Sequence, residues 1–423
     1  MKVWIVKTGE PLPVDGSDVR LLRSGSFANY LVEMGHNVVW WTGAFDHALK
    51  RKRCHAGSVI QIAANYRLWL IDSPGYERNI SLERMRDHKI VAERFTALAE
   101  LEGKPDVIHC AYPTIDLSLA SVNYGKRHSV PVILDVRDMW PDLFLDVFPS
   151  PLKGLARLLL SKIFKQSRMA LAGAKAISGH SPGFVEYGLR IAQRNAGELD
   201  RWFPFTYDSN FEGSLKGIDL GAVSIPKELE DHDSWFNICF LGNLSGEGLH
   251  NDFETPIKAV TYLAARGRKI RLLLCGTGKG ADKLRKRFSG SKCIKRLGWV
   301  DRATLWRVMN ISQLGLIPYK PNKDFIISLP NKSIEYLAGG LPVLTSLNRG
   351  YLFELFNAED CGVFFESGDV RGLARMLDEL IDCPDRVHAM AQKSKALFAL
   401  KFSRERIYAA MEKQLRDVIG LCS

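Results

Sequence analysis

No two cysteines in this chain stand in a Cys-x-x-Cys pair. The eight, Cys54, Cys110, Cys239, Cys275, Cys293, Cys361, Cys383 and Cys422, are scattered. That argues against a clustered zinc site and a dithiol redox couple, and it suits a reducing compartment. Cys239 and Cys275 lie inside apolar runs and read as small core residues. No apolar stretch approaches the roughly 18 residues that a spanning helix needs. The apolar part of the opening Met-Lys-Val-Trp-Ile-Val-Lys is too short for a signal peptide, so the expected location is cytoplasmic. A Walker A loop is missing, and so is a full Gly-x-Gly-x-x-Gly fingerprint with its following acidic residue. These gaps exclude a phosphate-loop NTPase and count against a nicotinamide dehydrogenase. Nor is there a stripe of interleaved aromatic and basic residues, the mark of a single-strand nucleic-acid binder.

What is present is ordinary globular composition over 423 residues, 46% hydrophobic and 25% charged. That is far from the charge excess of a disordered chain. The net charge of +11 points to an anionic partner or to a solubilising surface. Strand-like apolar runs alternate with helical stretches twice over. In the first half the strands are 2–6, 37–41, 67–71, 106–110, 132–136 and 176–178, with a helix over 19–34 that stops at Gly35. After a Gly-, Ser- and Pro-bearing break the rhythm restarts. Strands at 236–241, 270–275, 295–297, 314–317 and 342–346 alternate with helices at 252–266, 282–288, 302–309 and 332–338, and the tail is mostly helical. The pattern predicts an α/β chain of two Rossmann-like, doubly wound domains facing a central cleft. Residues 1–205 form the first, 206–234 the connection and 235–400 the second, with a C-terminal helix at 401–423 returning to the first.

Two segments of the second half could carry chemistry. Gly276-Thr277-Gly278-Lys279-Gly280 follows a strand and precedes a helix, which suits either a tight turn or an anion held at a helix N-terminus. Ser328-Leu329-Pro330-Asn331-Lys332-Ser333-Ile334-Glu335-Tyr336 reads as a loop running into a short helix. Lys332 in the first turn could meet a diphosphate, and Glu335, one turn on, could accept hydrogen bonds from ribose hydroxyls. The alternative is an exposed pair worth about 0.2–1 kcal/mol.

These segments resemble retaining glycosyltransferases of the GT-B fold, family 4, and most of all the subgroup acting on lipid-linked surface-polysaccharide (O-antigen) precursors. The resemblance extends to Gly9-Glu10-Pro11-Leu12-Pro13, Arg20 and Arg23, Gly35-His36, the run from Asp135 to Asp142, Ser181-Pro182-Gly183-Phe184, Gly242-Asn243 and Gly340-Leu341-Pro342-Val343. It implies a hexosyltransferase of lipopolysaccharide-type biosynthesis that takes a UDP- or GDP-sugar as donor. The implied acceptor is a lipid-linked saccharide, and neither metal nor cofactor is needed. It places Lys332, Glu335, Gly276, Gly278, Asn243, Ser328 and Asn331 at the donor, and Asp15, Gly16 and Arg20 on the acceptor-side loop. Arg137, Asp138 and His109 become the polar groups nearest the reacting sugar, with a structural Arg–Asp pair and a satisfied loop histidine as alternatives. Two departures stand out. The family's Glu-x7-Glu motif keeps its second glutamate as Glu335 but has Ile327 in place of the first. A diphosphate-binding Arg is replaced by Asn243, and Lys332 is expected to supply the missing charge.

Residues 151–169 read as one basic amphipathic helix, with Lys153, Arg157, Lys165 and Arg168 on one face and Leu152, Leu155, Leu159 and Ile163 on another. That suits an anionic membrane surface, hence a peripheral position on the inner face of the plasma membrane, or an ordinary packed helix. Lys50-Arg51-Lys52-Arg53 is a second basic cluster, fit for a pyrophosphate or for a plain surface loop. Two other functions remain: a nucleotide-sugar epimerase of the same fold, and a nucleic-acid-binding protein, which the separated basic clusters disfavour.

Overall fold

Continuous apolar runs become strands that are buried on both faces, as parallel sheets covered by helices require. The computed structural model describes residues 1–16, 19–54, 57–207, 229–244, 250–278 and 291–420. The chain divides into two units, Met1–Pro204 with Tyr408–Ser423, and Phe205–Ile407.

In chain order the first unit holds β1 (Lys2–Val6), α1 (Arg23–Glu33), β2 (Asn37–Gly43), β3 (Phe45–Asp46), β4 (Arg51–Lys52), β5 (Ser58–Ala63), β6 (Tyr66–Ile71), α2 (Leu82–Leu98), β7 (Val107–Tyr112), α3 (Ile115–His128), β8 (Val132–Val136), α4 (Asp142–Leu145), α5 (Lys153–Leu159), α6 (Ser161–Gly173), β9 (Ala176–Gly179), α7 (Pro182–Ala192) and β10 (Arg201–Trp202). Its main sheet runs β10-β9-β8-β7-β1-β2-β6-β5, parallel throughout except for the edge pair β5–β6. β5 alternates half-buried and exposed residues, so it lacks the apolar run that marks the other strands. At the centre Trp4 meets Trp41 edge-on at 5.0 Å, and Trp41 stacks on Trp69 at 4.9 Å. Each such indole buries about 150–250 Å², worth several kcal/mol at about 25 cal/mol per Å².

Two helices differ from expectation. α1 starts at Arg23 rather than Val19, and ends as expected with Gly35 at φ +79°. The segment 151–169 is not one helix. It breaks at Leu160, giving α5 and α6.

The second unit holds β11 (Phe236–Leu241), α8 (Glu254–Ala265), β12 (Ile270–Cys275), β13 (Ile294–Gly298), α9 (Arg302–Asn310), β14 (Leu314–Ile317), α10 (Lys323–Ile327), α11 (Asn331–Ala338), β15 (Val343–Thr345), α12 (Tyr351–Ala358), β16 (Gly362–Phe364), α13 (Val370–Asp382) and α14 (Pro384–Lys401). α15 (Arg404–Gly420) follows. The sheet is wholly parallel, in the order β13-β12-β11-β14-β15-β16. Alternate strand residues feed two cores: Cys239, Leu241, Leu273 and Cys275 pack on one side, and Ile238, Phe240, Leu272 and Leu274 on the other. The tail is latched within the first unit. Tyr408 packs 5.5 Å from Phe27, Glu412 accepts from Tyr30 and contacts His36 at 3.0 Å, and Arg201 pairs with Asp417 at 2.6 Å.

A Cβ on Gly276, whose φ is +139°, would lie 1.8 Å from the carbonyl oxygen of Gly242, whereas one on Gly267 (φ +85°) meets nothing within 4 Å. Gly276→Ala should therefore lower the melting temperature sharply or prevent folding. Gly267→Ala should cost only the ~1–2 kcal/mol of a left-handed residue, and thermal unfolding of the two variants side by side checks this.

Candidate active site

Numbered by order of appearance, the second sheet runs 3-2-1-4-5-6. The strand order reverses between β11 and β14, and such a reversal opens a crevice at the carboxyl ends of the strands. Three loops end there. Gly242, Asn243 and Leu244 follow β11, Gly276, Thr277 and Gly278 follow β12, and Pro318 and Tyr319 follow β14. The first two loops touch through their backbones, with Gly242 N donating to Cys275 O and Leu244 N to Thr277 O, each at 2.9 Å. Gly276 N donates to Gly298 O at 2.5 Å. Gly276 and Gly278 both have positive φ, so the chain turns back where a side chain would block it.

Lys332, in the first turn of α11, reaches into this crevice. Its Nζ donates to Tyr319 Oη at 3.0 Å and sits 5.1 Å from the Phe240 ring centroid. A Cβ on Gly242 would meet that Nζ at 2.9 Å, so the ammonium lies directly against the glycine. Among the described residues no carboxylate pairs with Lys332. It is a cation held by aromatic faces and a phenol, with its charge left for an anion. Glu335, one turn on, is buried.

Tyr336 puts the helix there. Fully buried, its Oη accepts from Leu241 N at 3.1 Å and donates to Leu316 O at 3.1 Å. It thereby fastens α11 to the two strands at the reversal point. Its ring fills the space where Gly315 would otherwise carry a Cβ, 2.4 Å away. Pro330 precedes the helix, and Ser333 Oγ donates to Pro330 O at 2.6 Å. Asn331 and Asn243 are exposed, and Ser328 is half-buried in the link from α10. Ile327, in place of the family's first glutamate, is the last residue of α10. The sequence reading missed Tyr319. An aromatic residue directly after the Ile317-Pro318 strand end was the available signal.

The first unit has its own reversal point between β1 and β7. Thr8 and Thr114 hydroxyls meet there at 3.3 Å, next to Gly9 at φ +78°. Behind them lies a buried ion network. Asp135 accepts from Arg23 Nε at 2.9 Å and Arg137 Nε at 2.7 Å. Arg137 also donates to Glu10 Oε1 at 2.5 Å and Ser24 Oγ at 3.0 Å. Burial alone would raise the Asp135 carboxyl, but Arg23 and Arg137 hold it far below the carboxylate range. All three Arg137 nitrogens are thus engaged by protein groups, and the partner acids are Asp135 and Glu10. Asp138 accepts from Met139 N at 2.9 Å instead.

His109 was expected at a strand end. β7 runs on to Tyr112, so His109 is mid-strand, paired in register with Ile5 and Ile133. It is buried edge-on to Phe27 at 5.5 Å, and burial lowers its pKa to about 4.

On the loop after β1, Asp15 accepts two bonds from Arg53 at 2.6 and 2.7 Å and one from Leu12 N at 2.8 Å. Burial opposes ionisation of Asp15, and the Arg53 hydrogen bonds overcome it, lowering its pKa. Gly16 and Arg20 are exposed beside it. Two of the four cations in the Lys50–Arg53 cluster are paired with acids, Arg53 with Asp15 and Lys52 with Asp72 at 2.9 Å, while Lys50 Nζ donates to the neutral Asn79 at 2.6 Å. The sequence also holds one Asp-x-Asp triplet, Asp231-His232-Asp233. Its Asp231 bonds Arg271 at 2.9 Å and Trp235 Nε1 at 2.7 Å, and no cluster of potential metal ligands occurs among the described residues. Ser17, residues 208–228 of the connection, 245–249, Lys279, Gly280 and the helix expected at 282–288 lie outside the described residues.

Two outcomes follow for the first unit. Arg137→Ala leaves Glu10 and Asp135 short of a buried partner, so it should cost about 3–5 kcal/mol, read as a large fall in melting temperature. Burial also lowers His47 and His109 to about 4 and His88 and His180 to about 3. Their folded pKa values lie below the unfolded value near 6.5. Their contribution is therefore complete above about pH 6.5 and is lost as the pH falls toward 4 and below. A melting temperature that stays flat from pH 7 to 4 would contradict this.

Residues 236–383 match the family described as glycosyl transferases group 1. Among curated proteins none matches this chain. Solved structures align over nearly all of it. Sucrose-phosphate synthase from Thermosynechococcus elongatus is 16% identical with a TM-score of 0.68, covering 99% of each chain. The α,α-trehalose 6-phosphate synthase of Burkholderia multivorans is 13% identical with a TM-score of 0.69, covering 100% of this chain and 99% of its own. HepE from Anabaena, solved with UDP, is 13% identical with a TM-score of 0.62, covering 98% and 99%; it has also been solved with UDP-glucose. The second unit therefore carries a group 1 glycosyl transferase domain, and the chain as a whole has the GT-B architecture.

Proposed function

We propose that this enzyme transfers a hexosyl group, with retention of configuration, from a UDP- or GDP-sugar to a lipid-linked saccharide, as a step of cell-surface polysaccharide synthesis at the cytoplasmic face of the plasma membrane. One observation carries the donor half of this reading. An ammonium that has no carboxylate partner among the described residues, Lys332, is held by Tyr319 at the strand-order reversal, against Gly242 and next to the Gly276–Gly278 turn. The UDP and UDP-glucose complexes of HepE, a structure of the same fold, support a nucleotide sugar as donor.

In this reading the diphosphate lies along the N-terminus of α11 at Asn331, with the amides around Gly276 and Gly278 facing it. Lys332 stabilises the charge that develops on the leaving phosphate, an electrostatic contribution made before the reaction begins. Glu335 accepts hydrogen bonds from the ribose hydroxyls, while Ser328 and Asn243 border the sugar and phosphate. The acceptor belongs to the first unit, at the loop from Gly9 to Gly16 with Arg20. Asp138 is the polar group offered to the reacting sugar. Arg137, through Glu10 and Asp135, positions that loop rather than touching substrate, and His109 supports it from inside the sheet. The leaving phosphate takes the proton of the attacking hydroxyl, so no separate side-chain base is assigned. The family resemblance implies that no metal takes part.

Thermal stabilisation by a panel of UDP- and GDP-sugars identifies the donor, because a ligand bound only by the native state raises the melting point. Lys332→Ala should lower kcat/KM by roughly 10²–10³-fold, the usual consequence of losing a group that stabilises charge in the transition state, with its melting temperature little changed. Near-normal transfer by that variant would refute the assignment. Turnover of the donor without acceptor, yielding an epimerised sugar, would favour an epimerase instead.

A further inference from the structure

The segment between Val147 and Met169 is unusual in what it leaves outside. α5 buries only Ala156, while Val147, Phe148, Leu152, Leu155, Leu158 and Leu159 are all exposed, the last two at 69% and 73%. A helix packed as an ordinary layer element would turn such leucines inward. The same stretch contains five basic residues, Lys153, Arg157, Lys162, Lys165 and Arg168, and no acidic one. Beside the leucines a groove of about 430 Å³ opens between α6 and α7, lined by Arg157, Phe164, Lys165, Arg168 and Arg190 among others. Asp142 lies 4.0 Å from Arg157 and 3.2 Å from Arg190, and Lys153 pairs with Asp146 at 2.7 Å. Among the described residues Lys162, Lys165 and Arg168 enter no ion pair.

We infer that this face docks on an anionic lipid bilayer. The Leu155, Leu158 and Leu159 side chains enter the acyl boundary, and the Arg157–Lys165–Arg168–Arg190 groove receives lipid phosphates. The inference deepens the membrane-side reading given above and rests on it for its place in the reaction. Charge complementarity selects the occupant. A second copy of this chain would set Lys162, Lys165 and Arg168, which enter no ion pair among the described residues, against the same three cations. An acidic peptide would answer the groove but leave the leucine ridge in water. A bilayer with anionic headgroups meets both at once, apolar below and negatively charged at the surface.

The test is co-sedimentation of the full chain with vesicles of phosphatidylcholine alone or mixed with phosphatidylglycerol. The wild type should bind the mixed vesicles, bind neutral ones at least about tenfold less, and release with salt. Leu158→Asp with Leu159→Asp, and separately Lys165→Glu with Arg168→Glu, should each abolish binding. All these sites are exposed, so melting temperatures should be unchanged. Equal binding by wild type and variants, or no binding to either vesicle, overturns the proposal. So does stabilisation by inorganic phosphate as large as that by mixed vesicles and indifferent to the leucine changes, which would make the groove a site for free anions. Nucleotide-sugar stabilisation measured without vesicles separates the two readings. If it survives while vesicle binding is absent, the docking face is wrong and the transferase assignment stands. If it is absent while vesicles bind, the donor assignment fails and the docking face stands.

Discussion

The second unit depends on two backbones coming closer than side chains allow. Gly242 ends one strand and Gly276 the next, and the carbonyl of the first occupies the volume that a Cβ on the second would need. Because that contact is bare, the turn after β12 folds back over the turn after β11, and the ammonium of Lys332 can rest directly on Gly242. The helix bearing Lys332 is aimed by a second contact of the same kind, the Tyr336 ring against Gly315. Tyr336 then accepts a strand N–H and donates to a strand carbonyl, so the helix is fixed by hydrogen bonds inside a dry core, where losing one is costly. Two glycine contacts and one phenol thus place a positive charge at the point where a parallel sheet reverses its strand order.

The first unit meets the opposite problem, since it buries charges rather than leaving one available. Asp135 sits at the end of a fully buried strand, and Arg23 and Arg137 both hydrogen-bond it. Glu10 and Ser24 take the remaining directions of Arg137. Such a network need not add net stability over an apolar core, but removing one member leaves another uncompensated. Its structural effect is to bind the loop after β1 to the end of β8 and the start of α1. That loop holds its shape from Gly9 through Asp15 because Arg53 grips it from the far side.

Much of the strand pattern was legible in the sequence because it is written in continuous apolar runs: β1, β8, β11, β12 and β14 have the expected bounds. The edge strand β5 was not, since a strand half in water carries a diluted pattern, and β16 is too short to stand out. The break at Leu160 was also hidden, because α5 and α6 share one run of helix-forming residues with no glycine or proline at the junction. At the site, Lys332, Glu335 and the paired glycines could be read from local spacing, since a strand, a turn and a helix start lie within one short segment. Tyr319 escaped because its meaning depends on a lysine thirteen residues away.

By itself the sequence determined where the chain extends and where it coils, and which short stretch could face an anion. These are local matters, set by hydrophobic period and by residues that permit tight turns. Tertiary structure decided which charges are spoken for. Arg137 and Glu10 are 127 positions apart, and Arg23 and Asp135 are 112 apart. No local rule joins them, and only the packed sheet brings them within hydrogen-bond distance. Among the described residues Lys332 stands without a carboxylate partner while Arg137 and Arg53 do not, because Coulomb attraction acts on distance in space and is blind to distance along the chain.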